Sequence, residues 1–316
     1  MDQQILSSRA VIGAYFARLE QNPGMAWVNA ISNLFESDQA LETYPFLGQV
    51  PRMREWIGGR QAKGLRGDAF EIRNKHYEAT LEIAVRDMRR DKTGQLVARV
   101  NEFADSSQAH WASMLSALIA TGAAAVCYDG QYFFDTDHVT GDSGSQSNSI
   151  SVDISTLAAQ VHGVVTDPSI EEMQQAILQG VVKVIGLKDD RGEPLNESAS
   201  GFLVLTPPGL YMKALASVSS TSLTAIAQNL MTSMPGNMKI DVQMDARSTW
   251  TDKFSVWRTD SPLKALIRQN ETEVDLKVKA EGSEFEFDND AHQYGIDAWR
   301  NAGFGLWQRA CLVTMT

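Results

Sequence analysis

Two cysteines, Cys127 and Cys311, are all that the 316 residues contain. That count excludes a disulfide framework and a four-thiolate zinc site. A reducing compartment fits, because nothing in the chain depends on oxidation. Long apolar runs are also missing. The longest apolar-leaning stretch, 114–128, is interrupted by Ser116, Thr121 and Gly122 and ends at Asp129, too short and too polar to span a bilayer. The opening Met1-Asp2-Gln3-Gln4 lacks the basic region and apolar stretch of a secretory signal. Cations are in deficit: 28 Lys and Arg face 39 Asp and Glu, a net charge of −11. This argues against a chain-wide nucleic-acid surface, though not against a local basic patch. No G-x-x-x-x-G-K-S/T phosphate loop, no G-x-G-x-x-G after a strand and no H-E-x-x-H occurs. A soluble, cytoplasmic protein without cofactor, metal or membrane partner is the expectation.

What is present is an ordinary globular balance, 43% apolar and 21% charged, long enough for roughly two domains. Residues 7–20 read as an amphipathic helix, with Val11, Ile12, Tyr15, Phe16 and Leu19 in one stripe and Pro23-Gly24 as its stop. A helical piece over 26–35 and an extended stretch through Pro45 and Pro51 follow. Residues 50–92 differ in charge: eleven cations against seven acids give +4 there and leave −15 elsewhere. Phe70/Ile72 and Tyr77/Leu81/Ile83/Val85 alternate with period two, as strands with one covered face do. Between them and Trp56-Ile57 lies a tip with Gly58, Gly59, Arg60, Lys63, Gly64, Arg66 and Gly67. The segment reads as a long two-stranded β-arm, which is marginal alone and needs another chain or domain to lie on. Three uses of the basic tip stand: phosphate contact, a solvated arm, or docking on an acidic surface of another copy. No aromatic residues are interleaved for base stacking, and the third is favoured because the −15 elsewhere supplies an acidic surface.

The strongest helix covers about 94–120, with Leu96, Val100, Phe103, Ser107, Trp111, Met114 and Leu118 forming one seam and Thr121-Gly122 ending it. Residues 140–151 form a Gly/Ser/Asn-rich segment that reads as a mobile loop. A helix at 168–180 with Pro168 near its first turn, a buried strand at 202–205, a helix at 209–216 and short strands at 240–242, 254–257 and 273–279 complete the pattern, before an aromatic-rich stretch at 293–315. Helices and strands are segregated without βαβ alternation, so the class is α+β.

Two polar strings suggest chemistry. Asp135-Thr136-Asp137-His138 places three potential metal ligands within four residues, against the simpler reading of an Asp-rich turn with a surface histidine. Gly141-Asp142-Ser143-Gly144 is similar to the nucleophile stretch of chymotrypsin-like proteases, but the other elements of that family are missing. A soluble metal- or serine-dependent hydrolase using Asp135, His138 and Ser143 is the alternative these strings support. Cys127 and Cys311 sit in apolar surroundings and read as buried small hydrophobes. His76 and His110 read as packing or surface residues, and His162 and His292 have no partner pattern.

An N-terminal arm, a basic β-arm, a long helix and then a compact α+β region resemble the major capsid proteins of tailed phages with the Hong Kong 97 fold. More narrowly, the chain is similar to the major head subunits of Mu-like phages and prophages. The strings that carry the resemblance are Arg54-Glu55-Trp56-Ile57-Gly58, the run from Ile72 to Ile83, the run from Cys127 to His138, and the C-terminal pattern with Arg300, Gly303, Phe304 and Trp307. The resemblance implies an N-arm at 1–49 and an extended loop at 50–91. A peripheral domain with a spine helix takes 92–160, an axial domain 161–275, and 276–316 returns to the peripheral domain. It also implies no active site and an icosahedral head built from hexamers and pentamers around double-stranded DNA. Trp56, Arg60, Lys63 and Arg66 would touch a neighbouring copy, and the seam of the spine helix would be its core. Scaffold, maturation protease, portal and decoration proteins would be separate partners, DNA would be met only through non-specific contacts, and the virion, assembled in the host cytoplasm, would be the location. A tail or decoration protein is a third option.

Overall fold

The computed structural model describes residues 7–44, 70–91, 94–219 and 238–316. The basic tip with Trp56, Arg60, Lys63 and Arg66 lies outside the described residues.

Helix α1 spans Ser8–Gln21, and its Ser7 cap accepts the backbone N–H of Ala10. Val11 and Tyr15 are buried as the stripe predicts, but Phe16 stays 40% exposed. Helix α2 spans Ala26–Ile31, and the chain then turns extended into β1, Ser32–Glu36, so the expected helix over 26–35 is half helix and half strand. Strand β2, Leu41–Tyr44, pairs antiparallel with β3, Phe70–Arg73. Strand β4, Lys75–Ala84, pairs with β12, Ala291–Phe304. The strands expected around 70–85 therefore form, but not as partners in one ribbon; each is claimed by a different neighbour. Val85 opens a short helix, α3, Val85–Arg90.

Helix α4 spans Gln95–Ala120, about 39 Å at 1.5 Å per residue. It starts from Gly94, whose φ of 73° suits a residue without Cβ. Its buried residues are Val100, Ala104, Ser107, Trp111, Ala112, Leu115, Ser116 and Ile119. Of the predicted seam, Val100, Ser107 and Trp111 are buried, whereas Leu96, Phe103, Met114 and Leu118 are half-buried on its flank. Leu96 and Phe103 pack with α1, β4 and β12, while Met114 and Leu118 pack with α2 and the segment 127–134. One helix thus serves two apolar clusters, and the buried line drifts around it between them.

Two sheets frame α4. The first has the order β1-β11-β12-β4, with β11 at Leu266–Lys279. Strands β11 and β12 form a 14-residue-long hairpin that ends at the short helix α7, Glu284–Asn289. The second sheet has the order β7-β13-β10-β8-β9: Ser149–Val152, Ala310–Met315, Lys253–Arg258, Gly201–Thr206 and Lys239–Met244. Helices α5, Ile170–Ile185, and α6, Pro208–Ser219, cover it. The cap of α5 is Ser169, which with Glu172 makes a reciprocal capping box, so Pro168 precedes the helix rather than opening it. Gly180 lets α5 approach the sheet: a Cβ there would lie 2.8 Å from Val256 Cγ2 and 2.9 Å from Val313 Cγ2. The stretch 140–151 is not a mobile loop. It contributes β6, Ser145–Gln146, which pairs with β5 at His138–Val139 just before it, and most of β7. The result is α+β: β8, α6 and β9 form a parallel βαβ unit, but regular alternation does not run along the chain. No helix among the described residues is long and apolar enough to cross a membrane.

Candidate functional site

The densest polar centre surrounds His138, which is fully buried rather than at the surface. Its Nδ1 lies 2.7 Å from Asp129 Oδ2, its Nε2 lies 3.2 Å from Asn148 Oδ1, and its ring stacks on Trp307 at 3.9 Å and 6°. The Asn148 amide nitrogen donates to the carbonyls of Phe133 (2.8 Å) and Trp307 (3.2 Å), so its oxygen is the atom that faces His138. That oxygen also accepts the Asp135 backbone N–H at 2.9 Å. On the other side, Asp129 Oδ1 accepts the Cys127 thiol at 2.9 Å and the Gln131 N–H at 3.2 Å. These bonds hold Asp129 below the usual carboxylate range despite a burial that acts the opposite way.

The expected chemical constellation is not assembled. His138 spends its ring nitrogens on Asp129 and Asn148, not on Ser143 or Asp135. Ser143 Oγ donates to the Gly144 carbonyl and accepts the Thr140 N–H. The Asp135 carboxylate accepts backbone N–H groups of Tyr132 and Thr136. A triad needs the serine on the imidazole, and here it faces its own turn. Cys127, Asp129 and His138 do bring S, O and N ligand atoms within 4.8 Å of one another. Burial and the neighbouring Asp129 push the Cys127 thiol up, away from the thiolate a metal requires. The group is a hydrogen-bonded clasp joining the segment after α4 to the turn before β13. Sequence reading found its members in one string but missed Asn148 and Trp307, which no spacing links to it.

Three of the other four histidines also serve as ties. His76 stacks on Trp299 and pairs with Asp297, His162 meets Glu172, and His292 joins Ser8 to Glu286. Cys311 is buried and unpaired in a disulfide, with its thiol pushed up to about 12 by burial. No catalytic grouping emerges from these sites among the described residues.

One further pairing, that of β2 with β3, flanks residues 45–69, which lie outside the described residues. Their register sets Tyr44 opposite Phe70. The family described as "Mu-like prophage major head subunit gpT" matches residues 11–160 and 236–316. The chain belongs to this family. Its members are head subunits, a structural class rather than enzymes. Among curated relatives, the chain is 33% identical over 122 residues to the Mu-like prophage FluMu major head subunit of Haemophilus influenzae. It is 31% identical over 110 residues to the major capsid protein of Escherichia phage Mu. These matches take in 39% and 35% of the chain, and 40% and 36% of the two relatives, so the chain spans about two fifths of the length of the curated relatives it matches.

Solved structures agree on the fold. The chain is similar to a chain of the procapsid of bacteriophage JBD30, with a TM-score of 0.56 and 21% identity over 97% of this chain and 74% of that one. It is also similar to a chain of the capsid of cyanophage P-SCSP1u, with a TM-score of 0.53 and 12% identity over 90% and 86%. A virus-like particle from Pyrococcus furiosus gives a TM-score of 0.51 at 8% identity over 96% and 97%. Such identities speak for the fold alone, and that fold is the Hong Kong 97-like capsid fold.

Proposed function

We propose that this head subunit is the repeating unit of an icosahedral phage head, assembling as hexamers and pentamers around double-stranded DNA. Membership of the head-subunit family carries the proposal, and the capsid-type fold supports it. Each copy makes modest contacts with several neighbours, and a closed shell multiplies them into a stable whole. On this reading 1–49 is an N-arm and 50–91 an extended loop whose Trp56, Arg60, Lys63 and Arg66 lie on a neighbouring copy. The peripheral domain takes 92–160 and 276–316, and the axial domain takes 161–275. The acidic balance of the chain favours non-specific contact with DNA over a gripping surface. Scaffold, maturation protease, portal and decoration proteins are separate partners, and assembly takes place in the host cytoplasm before the virion forms. The test is expression with and without a scaffold, followed by electron microscopy. Closed shells are the expected product; a soluble monomer under every condition, or a tube or a trimeric knob, would overturn the reading.

A further inference from the structure

A second buried polar group stands apart from the His138 clasp. Arg300 on β12 and Arg268 on β11 are 6% and 7% exposed. Both guanidinium groups lie against the Trp111 ring of α4, at 4.9 Å and 5.5 Å from its centre. Arg300 Nη2 donates to the Ser107 carbonyl at 3.2 Å, and Arg268 Nη2 donates to Asn29 Oδ1 at 2.8 Å. The Nε–H of each is buried without an acceptor. Among the described residues no carboxylate pairs with either, and burial draws both down to about 10. This is unusual, because a buried cation ordinarily has an anion beside it, and this chain has a surplus of acids.

Arg300 lines a half-open cavity of about 150 Å³ between β4, α4 and β12. Tyr77, Phe103, Val274 and Ile296 give it apolar walls, and His110 lines it too. His110 Nδ1 is buried without a partner, and its ring meets the edge of Tyr77 at 4.5 Å. Burial, and then the Arg300 charge, draw His110 down to about 4, so the ring is neutral at neutral pH. Two acids line the same cavity, Glu78, which is exposed, and Asp297, which is tied to Lys277 and His76. Tyr15 and Tyr77 are the other titratable groups near the guanidinium. The donors left over are those of one cation and one imidazole, within apolar walls. They suit a monoanion on a short hydrocarbon stem and leave a phosphate dianion half-neutralised.

We propose that this cavity is a carboxylate site centred on Arg300, filled in the assembled shell by an acidic side chain of a neighbouring copy. The second half rests on the assembly reading; the first does not. The unassembled subunit tests the first half. Sodium acetate is titrated against sodium chloride at equal ionic strength, following melting temperature and the NMR titration of His110. Acetate is expected to raise the melting temperature saturably and to shift the His110 titration upward, since a bound anion favours the imidazolium. Both effects should vanish in Arg300→Met and in Ser106→Trp, which blocks the cavity from an exposed position on α4 and leaves Arg300 in place. No saturable effect, or the same effect in Ser106→Trp, would overturn the site. Assembly of the two variants then tests the occupant. At least a tenfold rise in the concentration needed for shells, in variants whose melting is intact, supports a neighbour's carboxylate. Unchanged assembly with the acetate effect lost overturns that occupant and leaves a site for a free carboxylate.

Discussion

Removing the His138 imidazole would strand a carboxylate. Asp129 is held by His138, Cys127 and the Gln131 N–H in a region the solvent barely reaches. His138→Ala deletes the strongest of these partners and leaves Asn148 Oδ1 one hydrogen bond short. Breaking a buried pair by removing one side costs about 3–5 kcal/mol, so urea unfolding should show a loss of about 3 kcal/mol or more. A loss under about 1 kcal/mol would mean that water replaces the ring without cost. At this scale the sequence was partly legible. Cysteine burial followed from apolar neighbours, and the run from Cys127 to His138 held three members of the clasp. Its location did not follow, because a string of Asp, Thr and His reads as a solvated turn unless the residues that cover it are known. Asn148 and Trp307 come from 10 and 169 residues further along the chain, and only the fold brings them in. Arg300 and Arg268 were equally hidden: in alternating strands an arginine reads as outward-facing, and here the period places both inward.

Helix α5 shows how one small residue sets an element's depth. At Gly180 the helix rests on Val256 and Val313, both buried and β-branched, with no rotamer by which to retreat. Gly180→Ala should therefore destabilise by about 1–3 kcal/mol through overpacking, although alanine is the better helix former by about 1 kcal/mol. Thermal melting checks the sign; a stabilised variant would show that the helix can lift off the sheet freely. Helices were the most readable elements. The stripes of α1 and α4 and the acidic first turn of α5 located them within a few residues. Strand partners were not readable. Period-two alternation in 70–85 marked strands correctly, but alternation says only that one face is covered and nothing about which strand lies alongside. The same limit applies to 140–151, whose glycines and serines read as a loop while β7 is paired along its length to β13.

For the whole molecule, the pairing of β2 with β3 brings Tyr44 and Phe70, the described residues on either side of 45–69, face to face. Deleting 58–67 shortens the connection between them, whose closure entropy changes by well under about 1 kcal/mol. The shortened subunit should melt within a few degrees of the parent, while electron microscopy should find no shells. Normal particles would show that this segment is not an assembly contact. The long helix α4 was legible from its apolar spacing, whereas the expected arm falls largely on residues outside those described. The two sheets were not legible, because their centres are made late in the chain. Strands β11 and β12 separate β1 from β4, and β13 separates β7 from β10. During synthesis the outer strands therefore emerge first and wait for residues 266–315. At roughly 5–20 residues per second, β4, which ends at Ala84, waits with its edges open about 10–40 s for β12, which begins at Ala291. Neighbouring nascent chains on one message are the nearest partners for those edges, so the spacing of ribosomes and the chaperones that shield the edges set the yield of subunits fit to build a shell.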